Sequence, residues 1–380
     1  MSSETVFRNA NIILETEIIH GSVQVRDGLI ADITQGSSAI GDDFEGDYLL
    51  PGLVELHTDH LEGHYSPRPG QRWNVTAAIQ SHDAQISAAG ITTVLDCLRI
   101  GTNNEGSDFE EDEMRKMADA LKKAGHEGRL RAEHLLHLRC EVSASDVMEQ
   151  FAQFDGVPEI RLVSLMDHAP GQRQFQTMEQ YTLYYKTMKG LSDEAFDIFV
   201  KNRIARSERY SDPHRKRLAN ICNERGIPMA SHDDANLDHV QESIDFGVRL
   251  AEFPTSLEAA KASNTAGLSV LMGAPNVVRG GSHSGNIAAA DLAKAGVLDV
   301  LSSDYVPFSI MHAPFVLADD PDMSLPEAIA MVTATPAKAV GLDDRGRVAT
   351  GLRADLVRVR HSNDDVPLVR SVWRQGQRVS

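Results

Sequence analysis

An apolar run ends in groups that bind metal ions at residues 49–64, "LLPGLVELHTDHLEGH". His57 and Asp59 stand two positions apart at the end of this run. Side chains at positions i and i+2 of a strand point to the same face, so both groups can reach one ion. The spacing therefore predicts a metal site where the first long strand ends.

Four other apolar runs end in the same kinds of residue: "HLRCE" at 137–141, "MDH" at 166–168, "SHDD" at 231–234 and "SSDY" at 302–305. The predicted metal ligands are His57, Asp59, Glu141 and His232. Asp304 is the predicted catalytic residue, either as the general base that takes a proton from water or as a further metal ligand. Donors of this kind without thiolate favour zinc, with manganese or iron as alternatives. A divalent ion lowers the pKa of bound water from 15.7 to about 7.

Two further segments are predicted to bind an anionic substrate. The segment "RGGSHSG" at 279–285 combines glycine with donor side chains, and backbone N–H groups in such a loop can form an anion-binding nest. The segment "SPRPGQRW" at 66–73 adds two arginines. The predicted substrate-binding residues are Arg68, Arg72, Arg279, Gly280, Gly281, Ser282 and His283.

The elements that must position these residues follow a regular alternation. Eight apolar, strand-like runs are separated by segments with helical spacing, such as "DEMRKMADALKKAG". This alternation indicates parallel βαβ units, and eight units predict an α/β fold of the (β/α)8 TIM-like barrel type over residues 51–339. Residues 1–50 and 340–380 carry short strand and turn patterns, which predict a small β-rich domain built from both chain ends. Active sites in such barrels lie at the carboxyl ends of the strands, where the polar groups fall.

Charge and cysteine content exclude several function classes. The 380 residues include 37 basic and 55 acidic side chains, for a net charge of −18, which disfavours nucleic acid and anionic membranes as partners. The 3 cysteines predict neither a disulfide framework nor a cysteine-rich zinc site. No signal peptide or long apolar span is expected, so the predicted location is the cytoplasm. The predicted assembly is a homodimer.

Long motifs across the chain resemble a known family. They include "ELHTDHLEGHYSPRPG", "RAEHLLHLRCEV", "AEFPTSLEAA", "MGAPNVVRGGSHSGN" and "LSSDYVP". Together they resemble the amidohydrolase superfamily, and more closely its phosphonate-metabolism branch, the PhnM proteins of the carbon–phosphorus lyase pathway. The resemblance implies hydrolysis of α-D-ribose 1-methylphosphonate 5-triphosphate to the 5-phosphate and pyrophosphate, with a small phosphorylated sugar as substrate.

The motifs also depart from the wider superfamily. The first strand carries His57-x-Asp59 where many members have His-x-His, and the fourth strand offers no lysine to carry a carbamate. The sixth strand supplies Glu252 in place of the usual histidine. Whether one or two metal ions bind is therefore left open. The alternatives to the phosphonate enzyme are an amidohydrolase that cleaves a C–N bond, such as a deacetylase or cyclic amidase, and a metal-free scaffold protein.

Overall fold

The computed structural model describes residues 4–101, 109–170, 172–173, 181–182, 192–282, 285–362 and 365–380. Sixteen strands lie in these parts of the chain, and they are β1 (Glu4–Ile13), β2 (Ile18–Arg26), β3 (Leu29–Gln35), β4 (Asp42–Asp43), β5 (Tyr48–Pro51), β6 (Leu53–Thr58), β7 (Ile91–Ile100), β8 (Glu133–Glu141), β9 (Ile160–Met166), β10 (Met229–His232), β11 (Leu250–Glu252), β12 (Ser269–Gly273), β13 (Val300–Ser302), β14 (Leu356–Arg360), β15 (Leu368–Arg374) and β16 (Gln377–Arg378).

Twelve helices lie in the same described parts, and they are α1 (His60–Tyr65), α2 (Val75–Ala88), α3 (Glu113–His126), α4 (Val147–Ala152), α5 (Asp193–Arg225), α6 (Leu237–Asp245), α7 (Leu257–Thr265), α8 (Ala274–Arg279), α9 (Ala289–Lys294), α10 (Ser309–Leu317), α11 (Leu325–Ala330) and α12 (Ala334–Ala339). None of these helices has the length and apolar character needed to cross a membrane.

Strands β6 to β13 form one sheet in chain order, and every neighbouring pair is parallel. The first and last strands meet through a parallel bridge between Thr58 and Asp304. Around this bridge the N–H of Asp304 donates to the carbonyl of His57 at 3.0 Å, and the N–H of Asp59 donates to the carbonyl of Asp304 at 3.1 Å. The predicted (β/α)8 barrel is confirmed, and its closure brings the ends of the first and eighth strands together.

The barrel interior is built in layers that follow from strand alternation. Each of the eight strands contributes apolar side chains to one interior cluster, and these are Val54, Leu56, Leu95, Leu135, Leu162, Ala230, Leu250, Leu271 and Val300. Two positions later, five of the strands carry Cys97, His137, Ser164, His232 and Glu252. Because residues two apart share a face, the apolar layer at one end of the barrel leads into a polar layer at the carboxyl ends.

Several helices of the barrel start at side chains that cap their first turn. Asn74 accepts a hydrogen bond from the N–H of Ala77 at the start of α2, and Asn236 and Ser256 cap α6 and α7 in the same way. Such caps satisfy N–H groups that have no partner within the helix. The caps of α6 and α7 lie within a few residues of the ends of β10 and β11, so they help to fix where those strands stop.

The second sheet comes from both ends of the chain. Its order is β16-β15-β14-β5-β1-β2-β3, with β4 paired to β1, and its core includes Phe7, Phe44 and Trp373. Arg358 on β14 donates to Asp47 beside β5 at 2.5 Å, which links the two chain ends by a partly buried ion pair. We propose that residues 1–50 and 340–380 form one composite domain and that residues 51–339 form the barrel domain.

Candidate active site

Three non-glycine residues at the strand ends have positive φ. They are Asp233 after β10 (φ 58°), Phe253 after β11 (φ 53°) and Asp304 after β13 (φ 52°). Each N–H extends the ladder to the neighbouring strand, for Asp233 to the carbonyl of Glu252 and for Phe253 to that of Leu271. Left-handed backbone in non-glycine residues is uncommon and clusters at functional sites, so these turns mark the carboxyl ends of the barrel as the candidate site.

His57 is held inside the barrel by a carboxylate that was not among the predicted site residues. Its Nδ1 lies 3.1 Å from Oε1 of Glu252, and Ser164 donates to the other oxygen of Glu252 at 2.5 Å. Burial opposes the charge of Glu252, but His57, His137 and His232 together outweigh this effect and hold the pKa of the carboxyl well below its usual range. A proton on Nδ1 leaves Nε2 of His57 with a free lone pair for a metal ion.

His232 has the same arrangement on the opposite side of the barrel. Its Nδ1 lies 2.7 Å from Oδ2 of Asp233, while its Nε2 is buried and has no hydrogen-bond partner among the described residues. The ring centroids of His57 and His232 are 5.8 Å apart. Burial opposes protonation of His232, but Asp233 and Glu252 together outweigh it and raise the pKa of the imidazole.

Asp59 lies beside His57, as the two-residue spacing predicts. Its Oδ1 is 4.0 Å from Nε2 of His57 and also accepts a hydrogen bond from Nη1 of Arg139. Burial opposes ionisation of Asp59, but Arg139, His57 and Arg99 together outweigh it and hold the pKa of the carboxyl well below its usual range. Arg139 was not predicted as a site residue, although its position within "HLRCE" placed it on the correct strand end.

Asp304 follows β13, the last barrel strand, and its backbone bridges to Thr58 at the end of β6, the first barrel strand. Burial raises the pKa of its carboxyl, and the attraction of the nearby His57 only partly offsets this effect. The carboxyl of the nearby Glu55 accepts hydrogen bonds from the N–H groups of His57 and Ser303, both at 2.6 Å. Glu55 therefore ties together the two strand ends that carry His57 and Asp304, and burial raises its own pKa to about 8.

Glu141 makes its contacts with a histidine that was not predicted as a ligand. Its Oε2 lies 2.6 Å from Nδ1 of His168, and its Oε1 accepts a hydrogen bond from Ser143 at 2.6 Å. The ring of His168 is 5.5 Å from that of His232. Burial opposes the charge of Glu141, but His168, Arg203 and Ser143 together outweigh it and lower the pKa of the carboxyl to about 2. His168 therefore connects Glu141 to the pair formed by His57 and His232.

The two arginines of "SPRPGQRW" differ in their contacts and exposure. Arg72 donates to both carboxylate oxygens of Glu113, at 2.7 and 3.1 Å, and lies over the ring of Phe109. Its charge is therefore largely neutralised within the protein, an arrangement that does not favour the predicted role in substrate binding. Arg68 is exposed and forms no salt bridge with any described residue.

Part of the glycine-rich segment predicted to bind an anion forms the C-terminal end of α8. Gly280 caps α8 with a left-handed backbone, and the N–H groups of Gly280 and Gly281 donate to the carbonyls of Val277 and Asn276. Those two N–H groups are therefore not free for an anion. Arg279 is exposed, and its Nη1 lies 3.4 Å from the hydroxyl of Tyr305, the residue after Asp304.

Ser282 is partly exposed directly after the glycine pair. His283 lies outside the described residues.

The donors at the barrel mouth fit a divalent metal ion. His57 and His232 each have a carboxylate on Nδ1, which is the usual second shell of a metal-binding histidine. The buried, unpartnered Nε2 of His232 is costly unless another group satisfies it. Single donor atoms of His57, His232 and Glu252 lie within 4.8 Å of one another. An imidazole-rich set with carboxylates suits zinc and similar transition metals.

Candidate metal ligands lie at the carboxyl ends of a closed parallel barrel, and a second sheet comes from the chain ends. Comparison with known protein families finds the same class of protein. A family profile described as "Amidohydrolase family" matches residues 77–380. The chain belongs to this amidohydrolase family, and it is a hydrolase. The resemblance given by the sequence motifs is confirmed.

Individual proteins of known activity or structure are also similar to this chain. The α-D-ribose 1-methylphosphonate 5-triphosphate diphosphatase of Escherichia coli (strain K12) is 46% identical over 378 residues, which cover 98% of this chain and 100% of that protein. Among solved structures, the N-acetyl-D-glucosamine-6-phosphate deacetylase from Mycobacterium smegmatis is 15% identical, with a TM-score of 0.65 and 99% of each chain covered. The corresponding deacetylase from Pasteurella multocida is 13% identical, with a TM-score of 0.62 and the same coverage. These two structures support the fold alone.

Proposed function

We propose that this protein hydrolyses α-D-ribose 1-methylphosphonate 5-triphosphate to the 5-phosphate and pyrophosphate in phosphonate catabolism. The observation that carries the proposal is the 46% identity to the Escherichia coli diphosphatase over 98% of this chain and the whole of that enzyme. The match spans the whole barrel, including the strand ends and loops where activity in this fold is determined.

The proposed metal-binding residues are His57, Asp59 and His232, with Glu141 and Asp304 as further ligands if a second ion binds. Zinc is the proposed ion, because two imidazoles with adjacent carboxylates suit it well. A divalent ion bound there supplies Lewis-acid chemistry that makes water a nucleophile at neutral pH. The chain's own part is to orient His57 through Glu252, His232 through Asp233 and Asp59 through Arg139.

Asp304 is the proposed general base. Its carboxylate accepts the proton of the attacking water, and its raised pKa makes it a better proton acceptor than an exposed aspartate. Glu55 holds the backbone of His57 and Ser303 together, so the base stays at a fixed position beside His57. A proton acceptor held in place in this way supports hydrolysis, whichever bond the substrate offers.

Charge neutralisation is the second requirement of the proposed reaction. A triphosphate is strongly anionic and this protein carries a net charge of −18, so local cations are needed at the site. Arg279 beside Tyr305 and the exposed Arg68 are the proposed contacts for the outer phosphates, together with Ser282. Arg72 is retained only as support for the loop, because Glu113 already neutralises it.

Two further expectations from the sequence stay proposals. A cytoplasmic location fits the three cysteines, which are all free and buried. A homodimer is the proposed assembly.

Product analysis tests the proposed function against the C–N hydrolase. The purified protein is incubated with the ribose triphosphate, with a nucleoside triphosphate and with N-acyl sugars, and pyrophosphate, orthophosphate, ammonia and carboxylate are measured. We expect pyrophosphate in equal amounts with the 5-phosphate from the ribose triphosphate. Release of acetate or ammonia, with no pyrophosphate from any triphosphate, would instead identify the amidohydrolase alternative.

A further inference from the structure

Three histidines converge at a place that the proposed reaction does not use. His60 and His64 are four residues apart on α1, and His82 lies on α2. Nδ1 of His60 is 3.3 Å from Nε2 of His64, and one donor atom of each of the three rings lies within 4.8 Å of the others. Residues at i and i+4 share one face of a helix, a spacing that lets two imidazoles bind one ion.

His82 has an unsatisfied nitrogen in this cluster. The residue is fully buried, its Nε2 lies 2.7 Å from Oδ1 of Asp96, and its Nδ1 has no hydrogen-bond partner among the described residues. Because Asp96 is an acceptor, the ring proton belongs on Nε2 and the lone pair on Nδ1. A buried lone pair without a donor costs free energy, and a metal ion would satisfy it.

A chain of buried groups fixes the orientation of His82. The other oxygen of Asp96 lies 2.7 Å from Nδ1 of His134, and Nε2 of His134 lies 3.2 Å from Oδ1 of Asp83. Asp83 in turn accepts a hydrogen bond from the N–H of Ala132 at 3.0 Å. A carboxylate on the far side of a ligating imidazole is the usual second shell of a metal site, since it sets the tautomer and the ring orientation.

The cluster lies on the outer side of the barrel wall. Leu95 on β7 and Leu135 on β8 belong to the interior cluster. Because side chains alternate along a strand, their neighbours Asp96 and His134 face outward, towards α2. The register of β6 is irregular between Glu55 and Thr58, and His57 contacts Glu252 in the polar layer inside the barrel. His232 lies in the same layer, so the histidines of α1 and α2 form a separate site.

We propose that His60, His64 and His82 bind a structural divalent metal ion, with water at the remaining coordination position. Three imidazoles without a thiolate favour zinc over the oxygen-preferring magnesium and calcium. Gln85, whose Oε1 lies 3.2 Å from Nε2 of His64, is placed to hold that water. The ion would fasten α1, which begins directly after Asp59, to α2 and so hold the end of the first strand in place.

Metal counting on the full-length protein tests this site. Metal-free wild type, the double variant H60Q/H64Q and the control H126Q are titrated with Zn²⁺ and with Co²⁺, and bound metal is measured after dialysis. His126 is exposed at the end of α3 and leaves the cluster unchanged. We expect the double variant to bind one equivalent less than wild type and H126Q, and to lose one component of the visible Co²⁺ spectrum.

Two further variants distinguish loss of this metal site from misfolding and from loss of metal at the barrel mouth. The single variant H64Q, at a partly exposed position, is expected to weaken this equivalent by about 100-fold, since even second-shell changes cost 10–100-fold. A variant of His232 should keep this equivalent while losing metal at the barrel mouth. Binding of the same number of equivalents with unchanged affinity by H64Q and H60Q/H64Q would overturn the proposal.

Discussion

Replacement of Asp304 by asparagine is expected to lower kcat by about 10²–10⁴-fold while the protein keeps its metal, because general-base catalysis contributes about that much. Asparagine has nearly the shape of aspartate and tolerates the left-handed backbone at φ 52°, so the turn after β13 should persist. The amide cannot accept the proton of water. The measurement is steady-state kinetics with metal content determined on the same samples.

Asp233→Asn is the matched control for this experiment. Asp233 is also an aspartate with positive φ at a strand end, but its carboxylate contacts Nδ1 of His232. We expect this variant to lose about 10–100-fold in metal affinity and to recover most of its turnover when metal is in excess. Near-normal turnover of Asp304→Asn would remove Asp304 from the mechanism, and loss of its metal would reassign it as a ligand.

His232→Ala is expected to abolish measurable turnover through loss of the metal. The variant removes the buried Nε2 that lacks any other partner among the described residues. A bound ion contributes several kcal/mol of transition-state stabilisation, so the expected loss is about 10³-fold or more. Metal content by elemental analysis and kcat with added Zn²⁺ are measured together.

His126→Ala serves as the reference for this second prediction, because it removes an exposed imidazole far from the strand ends. Circular dichroism confirms that both variants are folded. The prediction is wrong if folded His232→Ala retains both wild-type metal content and wild-type turnover.

The barrel could be predicted from the sequence because its strands repeat one pattern eight times. Apolar runs such as residues 160–166 and 300–302 are followed by polar residues, and the intervening segments have helical spacing. The pairing of β5 with β14 follows less directly, since only their shared strand character indicated that the chain ends fold together. The register of that pairing depends on contacts about 300 residues apart in the chain, which local patterns do not specify.

The closeness of His57 and Asp59 was predicted from their two-residue spacing, and the two side chains do lie side by side. The strand ends at Thr58, however, so Asp59 is positioned by the start of α1 and not by strand alternation. Partners on different strands were missed: Arg139 beside Asp59 and His168 beside Glu141 both depend on how neighbouring strands align. One feature of the sequence pointed to Glu252: it stands on the sixth barrel strand where many members of the superfamily have a histidine.

The substrate-binding predictions show a different limit. Arg72 and Gly280 have residue types that suit anion binding, but each already has a structural partner. Arg72 is paired with Glu113, which comes about 40 residues later in the chain, and Gly280 ends a short helix whose carbonyls accept its N–H. Residue type alone cannot distinguish a free donor from one used by the fold.

Hydrolysis in ¹⁸O-labelled water tests the central proposal most directly. Pyrophosphate leaves when the bond between the α-phosphorus and its bridging oxygen breaks, and Arg279 and the metal would stabilise this highly charged leaving group. Attack of water on the α-phosphorus places the label in the sugar 5-phosphate and none in pyrophosphate, which is the expected result by mass spectrometry. Label found only in pyrophosphate would contradict attack at the α-phosphorus, and absence of pyrophosphate would contradict the proposed reaction itself.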